Sequence, residues 1–477
     1  MTRLAALIPF FLPVLFGQTA SAADTSAALA PAYSAQPCCE LCPAAADEAN
    51  YRDGDLPSLW PLVTGRDGWV FRSKTDMTTE FGPEDKSLRM LSLFAKALKA
   101  RGTTLMMIYL PSRGVMSQQY VQGPFDYEQA VEGYRAALAR FRQQGVDAAP
   151  LDTLVGHTDG DFFLKRDMHW NQVGARATAK VVADYALQHY PFVRQLPKVE
   201  YTTQVAEYIP VDGIWHRAIS QLCHQGYPAQ YSYTTVTHPK DDLFGQDDTQ
   251  PGIVLVGTSF SASVSQRANF EGYLKQSLSR DVLNVAMSGG EESGAWLEYL
   301  PTELFQKSPP KLVLWELPSH YTMKDKSLFR QLIPLVNNGC ENKPLLLSKK
   351  VSLAPGAPSN ELVFNQSLLS YPSRDLVMDM KLSDPDVHQM DVGIWYANGE
   401  QETLNVKQNK RANTGGRFVF NLSQDEYLGN QHFISLDLQK IISTKPSVEL
   451  SLDVCEAGAP SRPAVATTHL TTTRSSS

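Results

Sequence analysis

The hydrophobic pattern of this chain changes period once, near residue 340, and that change constrains the fold more than any other feature. Before it, short apolar runs alternate with helical windows. Leu88, Leu91, Phe94 and Leu98 recur at helical spacing and Gly102 stops the segment. Residues 104–110 then read as a strand buried on both faces, ended by Pro111. A second helical window carries Tyr127, Val131, Tyr134, Leu138 and Phe141 ahead of Gly145, and further apolar runs follow at 252–256, 282–286 and 311–317. This alternation predicts an α/β unit with a mostly parallel sheet, with its chemistry at the carboxyl ends of the strands. After Cys340, residues 377–382, 418–422 and 448–454 alternate with period two, and Asn398-Gly399 and Gly415-Gly416 mark turns. That pattern predicts an all-β sandwich module. The expected units are residues 23–342 and 343–460, followed by a flexible Thr/Ser-rich tail over 461–477.

The length, 477 residues, agrees with more than one folded unit, and 43% hydrophobic with 19% charged residues excludes a disordered, collagen-like or coiled-coil chain. Lys and Arg number 43 against 50 Asp and Glu, a net charge of −7 that argues against general nucleic-acid binding. An anionic partner therefore needs a local basic patch. Residues 1–22 carry Arg3, an apolar run over 4–16 and the small residues Ala20-Ser21-Ala22, which predicts a cleaved secretory signal. Pro9 and Pro13 interrupt the run, which falls short of the ~20 residues a span requires. No transmembrane span is expected in the mature chain. Six cysteines remain, Cys38, Cys39, Cys42, Cys223, Cys340 and Cys455, and in an oxidising compartment an even set favours disulfides. Their positions suggest one bridge from the N-terminal segment to the middle of the chain and a second, Cys340 to Cys455, with sequence alone leaving the pairing open.

Gly257-Thr258-Ser259 directly follows the apolar run ending at Val256, so Ser259 is a candidate nucleophile backed by helix-start N–H groups; the alternative is a plain helix cap. Asp167 and His169 stand two residues apart on an expected extended turn and point to one side. The carboxylate can orient the imidazole, and the imidazole can take the proton of Ser259; the alternative is a capping Asp with a structural His. His157, Asp159 and Asp161 lack a zinc-type i,i+4 pair, so no metal is expected. Gly290 after one strand, Tyr321 after another and Arg113 after a third are candidate oxyanion or substrate residues. Their alternatives are a turn glycine, a satisfied phenol and a solvated cation.

Taken together these residues resemble the SGNH hydrolase superfamily with a changed order, since Asp167-Met168-His169 precedes Gly257-Thr258-Ser259. The order is similar to the circularly permuted SGNH-like domains of alginate acetylation proteins. Leu41-Cys42-Pro43, Pro111-Ser112-Arg113-Gly114, Ser288-Gly289-Gly290, Asn338-Gly339-Cys340 and Ile394-Trp395-Tyr396-Ala397-Asn398-Gly399 extend the resemblance over nearly the whole mature chain. The resemblance implies a periplasmic O-acetyltransferase that needs no cofactor and moves acetyl groups through Ser259 to mannuronate hydroxyls of polymeric alginate. It implies Ser259, His169 and Asp167 as a triad, Tyr321 in the active site, and disulfides Cys42–Cys223 and Cys340–Cys455, leaving Cys38 and Cys39 as a vicinal pair or free thiols. Other periplasmic alginate acetylation and export proteins are the implied partners. The β-module is implied to bind carbohydrate through Trp395. Here Asp391, Gly393 and Gln401 surround that residue where the family uses basic and hydroxyl groups, and Lys407, Lys410, Arg411 and Arg417 are candidate replacements. Alternation leaves open whether Trp395 is a sugar platform or sandwich core. The rival readings are a secreted carbohydrate esterase and a polysaccharide-binding scaffold of the export machinery.

Overall fold

The computed structural model describes residues 39–458, apart from 55, 212, 225, 227, 241–250, 263–267, 357–358 and 365. The expected signal segment, the tail and Cys38 lie outside the described residues. Helix α1 (Asp85–Ala100) buries Leu88, Leu91, Phe94 and Leu98, the stripe its sequence marks out. Strand β1 (Thr104–Leu110) follows with six consecutive buried residues. Helix α2 (Tyr127–Gln143) starts where the Asp126 side chain accepts the Gln129 N–H, and β2 (Asp147–Ala148) returns beside β1. Helix α3 (Gln172–His189) comes next. Then β3 (Tyr201–Val211), α4 (Ile214–Cys223) and β4 (Gln230–Pro239) form an antiparallel ribbon with a helix between its strands. Strand β5 (Ile253–Val256), α5 (Phe270–Leu278), β6 (Leu283–Asn284), β7 (Leu312–Pro318) and α6 (Leu328–Leu335) complete the domain.

The main sheet has the order β2-β1-β7-β5-β6 with every pairing parallel. Its two-sided burial accounts for the unbroken apolar runs in β1, β5 and β7. The expected strand over 282–286 shortens to Leu283–Asn284, although Val285 and Met287 still donate their N–H groups to Leu255 and Gly257. A smaller core of Leu41, Leu59, Trp215 and Ile219 lies beneath the Cys42–Cys223 disulfide.

The second unit is a sandwich of two four-stranded antiparallel sheets. One sheet runs β8 (Leu345–Leu353), β15 (Val448–Glu456), β10 (Leu376–Leu382), β13 (Arg417–Asn421). The other runs β9 (Asn360–Phe364), β14 (Phe433–Ile441), β11 (Gln389–Tyr396), β12 (Gln401–Lys407). Inward residues such as Met378, Phe420, Ile394 and Leu436 interdigitate in a separate core. Helix α6 lies against β13, where Arg330 donates to the Asn421 carbonyl and pairs with Glu402 at 2.9 Å. The Cys340–Cys455 disulfide, with Cα atoms 5.5 Å apart, joins the connection after α6 to the last strand. Cys39 is also disulfide-bonded, and no described cysteine is a free thiol.

Candidate active site

Strands β1, β5 and β7 deliver their carboxyl ends to one edge of the sheet, and Leu110 of β1 stands in register with Pro318 of β7. Ser259 occupies the turn after β5. Residues 258–262 form a compact turn, with the N–H groups of Ser261 and Ala262 bonded to the Thr258 carbonyl and that of Phe260 to the Thr258 hydroxyl. The sequence predicts a helix start directly after Ser259; the described residues 259–261 form a turn instead.

Asp167 and His169 sit on a loop closed by Leu164 N–H donating to the His169 carbonyl. Beyond it, Asn171 caps α3 by accepting N–H groups from Val173 and Gly174. The Asp167 carboxylate accepts the His169 backbone N–H at 2.9 Å and stands 2.6 Å from Nδ1 of the same residue. His169 Nε2 lies 2.8 Å from Ser259 Oγ. Trp170 Nε1 donates to the Phe260 carbonyl at 3.0 Å, tying the histidine loop to the serine turn. The three predicted residues therefore converge.

Two devices hold Asp167 ionised. Burial pushes its carboxyl up, but His169 and Arg113 more than offset this and leave it below the ordinary value. Helix α4 points its N-terminus at the same carboxylate: a Cβ on Gly213, the N-cap residue, would overlap Asp167 Oδ2. Partial positive charge at that helix end favours the anion. The far end of α4 is Cys223, bridged to Cys42, so the disulfide anchors the helix that backs the loop.

Arg113 corrects the sequence reading. It is 2% exposed and lies beneath the surface. Its guanidinium donates to the carbonyls of Leu164, Asp167, Val70 and Lys165 at 2.6–3.1 Å, and its Nε stands 3.4 Å from Asp76. Trp69 and Trp215 flank it at 5.0 and 4.8 Å. Burial brings its pKa down to about 10, with Asp76 opposing. The residue holds the Asp167 loop instead of a substrate. Gly290 is also corrected, since its N–H donates to the Met287 carbonyl and is committed to a turn.

Tyr321 follows β7, its ring 4.4 Å from that of His320. Burial, Glu291, Glu316 and Glu292 raise its phenol, which stays protonated and able to donate. His320, which the sequence reading passed over, is held neutral by burial and by the charges of Arg72 and His169. Glu316 was missed as well, although a lone acid inside the apolar strand β7 was a signal for it. Strand β7 runs past the last residue of β5, since Val256 pairs with Trp315, and Glu316 therefore sits under the serine turn. It is wholly buried and accepts the Thr258 N–H at 2.8 Å and the Thr258 hydroxyl at 3.1 Å. A Cβ on Gly257 would stand 2.6 Å from Glu316 Oε2, so glycine permits the approach. Burial pushes this carboxyl up to about 7 against the opposing hydrogen bonds from Thr258 and Ser261.

In the module, Trp395 faces outward at 42% exposure, while Ile394 and Tyr396 face the core. Asp391 and Gly393 share its face, and Gln401 pairs with it across the hairpin. Lys407 pairs with Gln389 at the opposite end, six residues away or about 20 Å, so Lys407, Lys410 and Arg411 do not complete the Trp395 ridge. Among the described residues, no three His, Cys, Asp or Glu side chains gather as a metal site. No described helix is long and apolar enough to cross a membrane.

Residues 62–319 match the family described as "SGNH hydrolase-like domain, acetyltransferase AlgX", and residues 339–468 match a C-terminal carbohydrate-binding module. The fold is thus an SGNH hydrolase-like domain, its serine late in the chain, joined to a carbohydrate-binding module. The alginate biosynthesis protein AlgX of Pseudomonas aeruginosa is 37% identical over 96% of both chains. The probable alginate O-acetylase AlgJ of the same organism is 30% identical over 54% of this chain and 70% of its own. The solved structure of P. aeruginosa AlgX superposes with a TM-score of 0.77 at 36% identity, covering 87% of this chain and 99% of that one. The chain belongs to the AlgX family.

Proposed function

We propose that this protein is a periplasmic O-acetyltransferase that moves acetyl groups to mannuronate hydroxyls of polymeric alginate through an acetyl-Ser259 intermediate. The observation that carries the reading is the continuous relay from Asp167 through His169 to Ser259, with contacts of 2.6 and 2.8 Å. Membership in a family of alginate biosynthesis proteins, with an O-acetylase among its relatives, supports the substrate. Ser259 Oγ attacks the donor's acetyl carbonyl while His169 Nε2 takes its proton and passes it to the leaving group. A sugar hydroxyl then attacks the acetyl ester, again giving its proton to His169, and Ser259 leaves with that proton restored. Asp167 keeps the imidazole in the tautomer that presents Nε2, and the protonated Tyr321 is a donor for the developing oxyanion. Arg113 and Glu316 hold the two loops. The donor is another membrane or periplasmic component, and other alginate acetylation and export proteins are the partners.

The test is Ser259→Ala in the full chain, with mass spectrometry of wild type incubated with a small acetyl ester. Loss of transfer to oligomannuronate and an acetyl group mapped to Ser259 are expected. Full acetylation by the folded variant would sink the nucleophile assignment. Release of acetate with no sugar acetylation by wild type would instead mark an esterase.

A further inference from the structure

The connection between β12 and β13, residues 408–416, belongs to the module by sequence but rests on the catalytic domain. Ala412 is buried in the large core. Asn409 Nδ2 donates to the Gly289 carbonyl at 3.0 Å, and Glu298 accepts the Asn413 N–H at 2.7 Å. Gln331 of α6 donates to the Lys407 carbonyl at 2.7 Å. A Cβ built on Gly289 would stand 3.4 Å from Arg411 Nε, so the arginine stem lies over that glycine. Gly289 in turn borders the serine turn: Met287, two residues earlier, donates its N–H to the Gly257 carbonyl at 3.0 Å. Chain reach along this path puts Arg411 and Ser259 within about 20 Å.

Lys407, Lys410 and Arg411 are all exposed. Among the described residues none of them enters an ion pair, whereas the neighbouring Arg417 and Arg330 are both paired with carboxylates. Three cations outside any described ion pair, Lys407 at the end of β12 and Lys410 and Arg411 in the connection after it, are a local basic patch in a chain of net charge −7. Of the acids nearby, Glu298 accepts the Asn413 N–H, Glu292 accepts the Met323 N–H, and Glu291 and Glu292 both act on the Tyr321 phenol. The outward face of the β11–β14 sheet differs, because Asp391 and Asp437 share it with Trp395 and its cation, Lys440, stands opposite Asp391.

Resting on the acceptor reading above, we propose that Lys407, Lys410 and Arg411 form a track for a polyuronate chain that leads from the module onto the Gly289 rim. The module then serves the acetyl-transfer site through this loop, with each cation meeting a uronate carboxylate, and not through the Trp395 face.

The experiment measures KM for oligomannuronate during acetyl transfer by the full chain, comparing wild type, the triple variant K407Q/K410Q/R411Q and W395A. The triple variant is expected to raise KM about tenfold or more, and the gap should shrink at high salt. With carboxyl-reduced oligomannuronate, a neutral acceptor, the gap should close. An unchanged KM, a gap that persists with the neutral acceptor, or a larger rise from W395A would each overturn the track. Wild type that transfers nothing to either acceptor would refute the acceptor reading separately. Calorimetric binding of oligomannuronate then still reads the track, which stands if the triple variant loses binding and falls if it does not.

Discussion

Asp167 is 7% exposed and is held by His169, Arg113 and the start of α4, whereas Trp395 in the module is 42% exposed on an outward sheet face. Under the proposed function the two regions obey different demands. Proton transfer loses most of its rate when reacting groups drift by about 1 Å, so the relay is fixed from several sides. Polymer binding spreads over many weak contacts and tolerates mobile side chains. The relay sits on loops tied by a buried arginine, a helix end and a disulfide, and the module offers side chains that solvent reaches.

Substitutions can break that contrast. The largest effect is expected from Asp167→Asn, a loss on the order of 10³–10⁴-fold in kcat with a small acetyl ester. Oligomannuronate binding measured by calorimetry should survive it; a parallel loss of binding would show that the regions are not separable. Arg113→Ala leaves four buried carbonyls without their donor, while Arg72 still pairs with Asp76 at 2.8 Å, and should cost about 3 kcal/mol or more in denaturant titration. Arg113→Lys should recover only part, because a single ammonium cannot replace the forked guanidinium.

Glu316→Gln tests the support beneath the serine. The folded carboxyl is raised to about 7, above its unfolded value of 4.5. The folded state therefore keeps a proton that the unfolded state releases, and stability is full below pH 4.5, declines up to about 7 and is level above. Removing the titration should flatten a slope on the order of 3 kcal/mol across that window, read as unfolding free energy against pH. Persistence of the slope in the variant would assign it elsewhere. The disulfides sharpen the comparison with the smallest expected change in rate. C42S/C223S loosens α4 behind Asp167 and should lower kcat roughly threefold to tenfold. C340S/C455S should loosen the module instead and leave ester hydrolysis at the wild-type rate.

Much of this architecture was legible because burial repeats along the chain. Strand β1 lies at the residues its apolar run marked, and α1 buries the stripe marked by Leu88 to Leu98. The β3–β4 ribbon carried no comparable signal, since β3 is exposed over most of its length and shows no hydrophobic period. Arg113 was misread for a related reason: in sequence it is a cation after a strand, and only the 164–167 loop folding over it makes it internal. Lys407 looked close to Trp395 because sequence distance hides the length of a hairpin.

What the amino-acid order determined by itself was local: the change of period near residue 340, the strand ends that carry Ser259 and Tyr321, and the Asp-x-His spacing that lets a carboxylate meet its own loop's imidazole. Tertiary structure decided which of those groups meet, because contacts across 90 residues, such as Ser259 to His169, depend on how strands pair and loops close. It also decided charge. Whether Glu316 holds its proton and whether Arg113 meets solvent follow from burial, which a linear sequence does not contain.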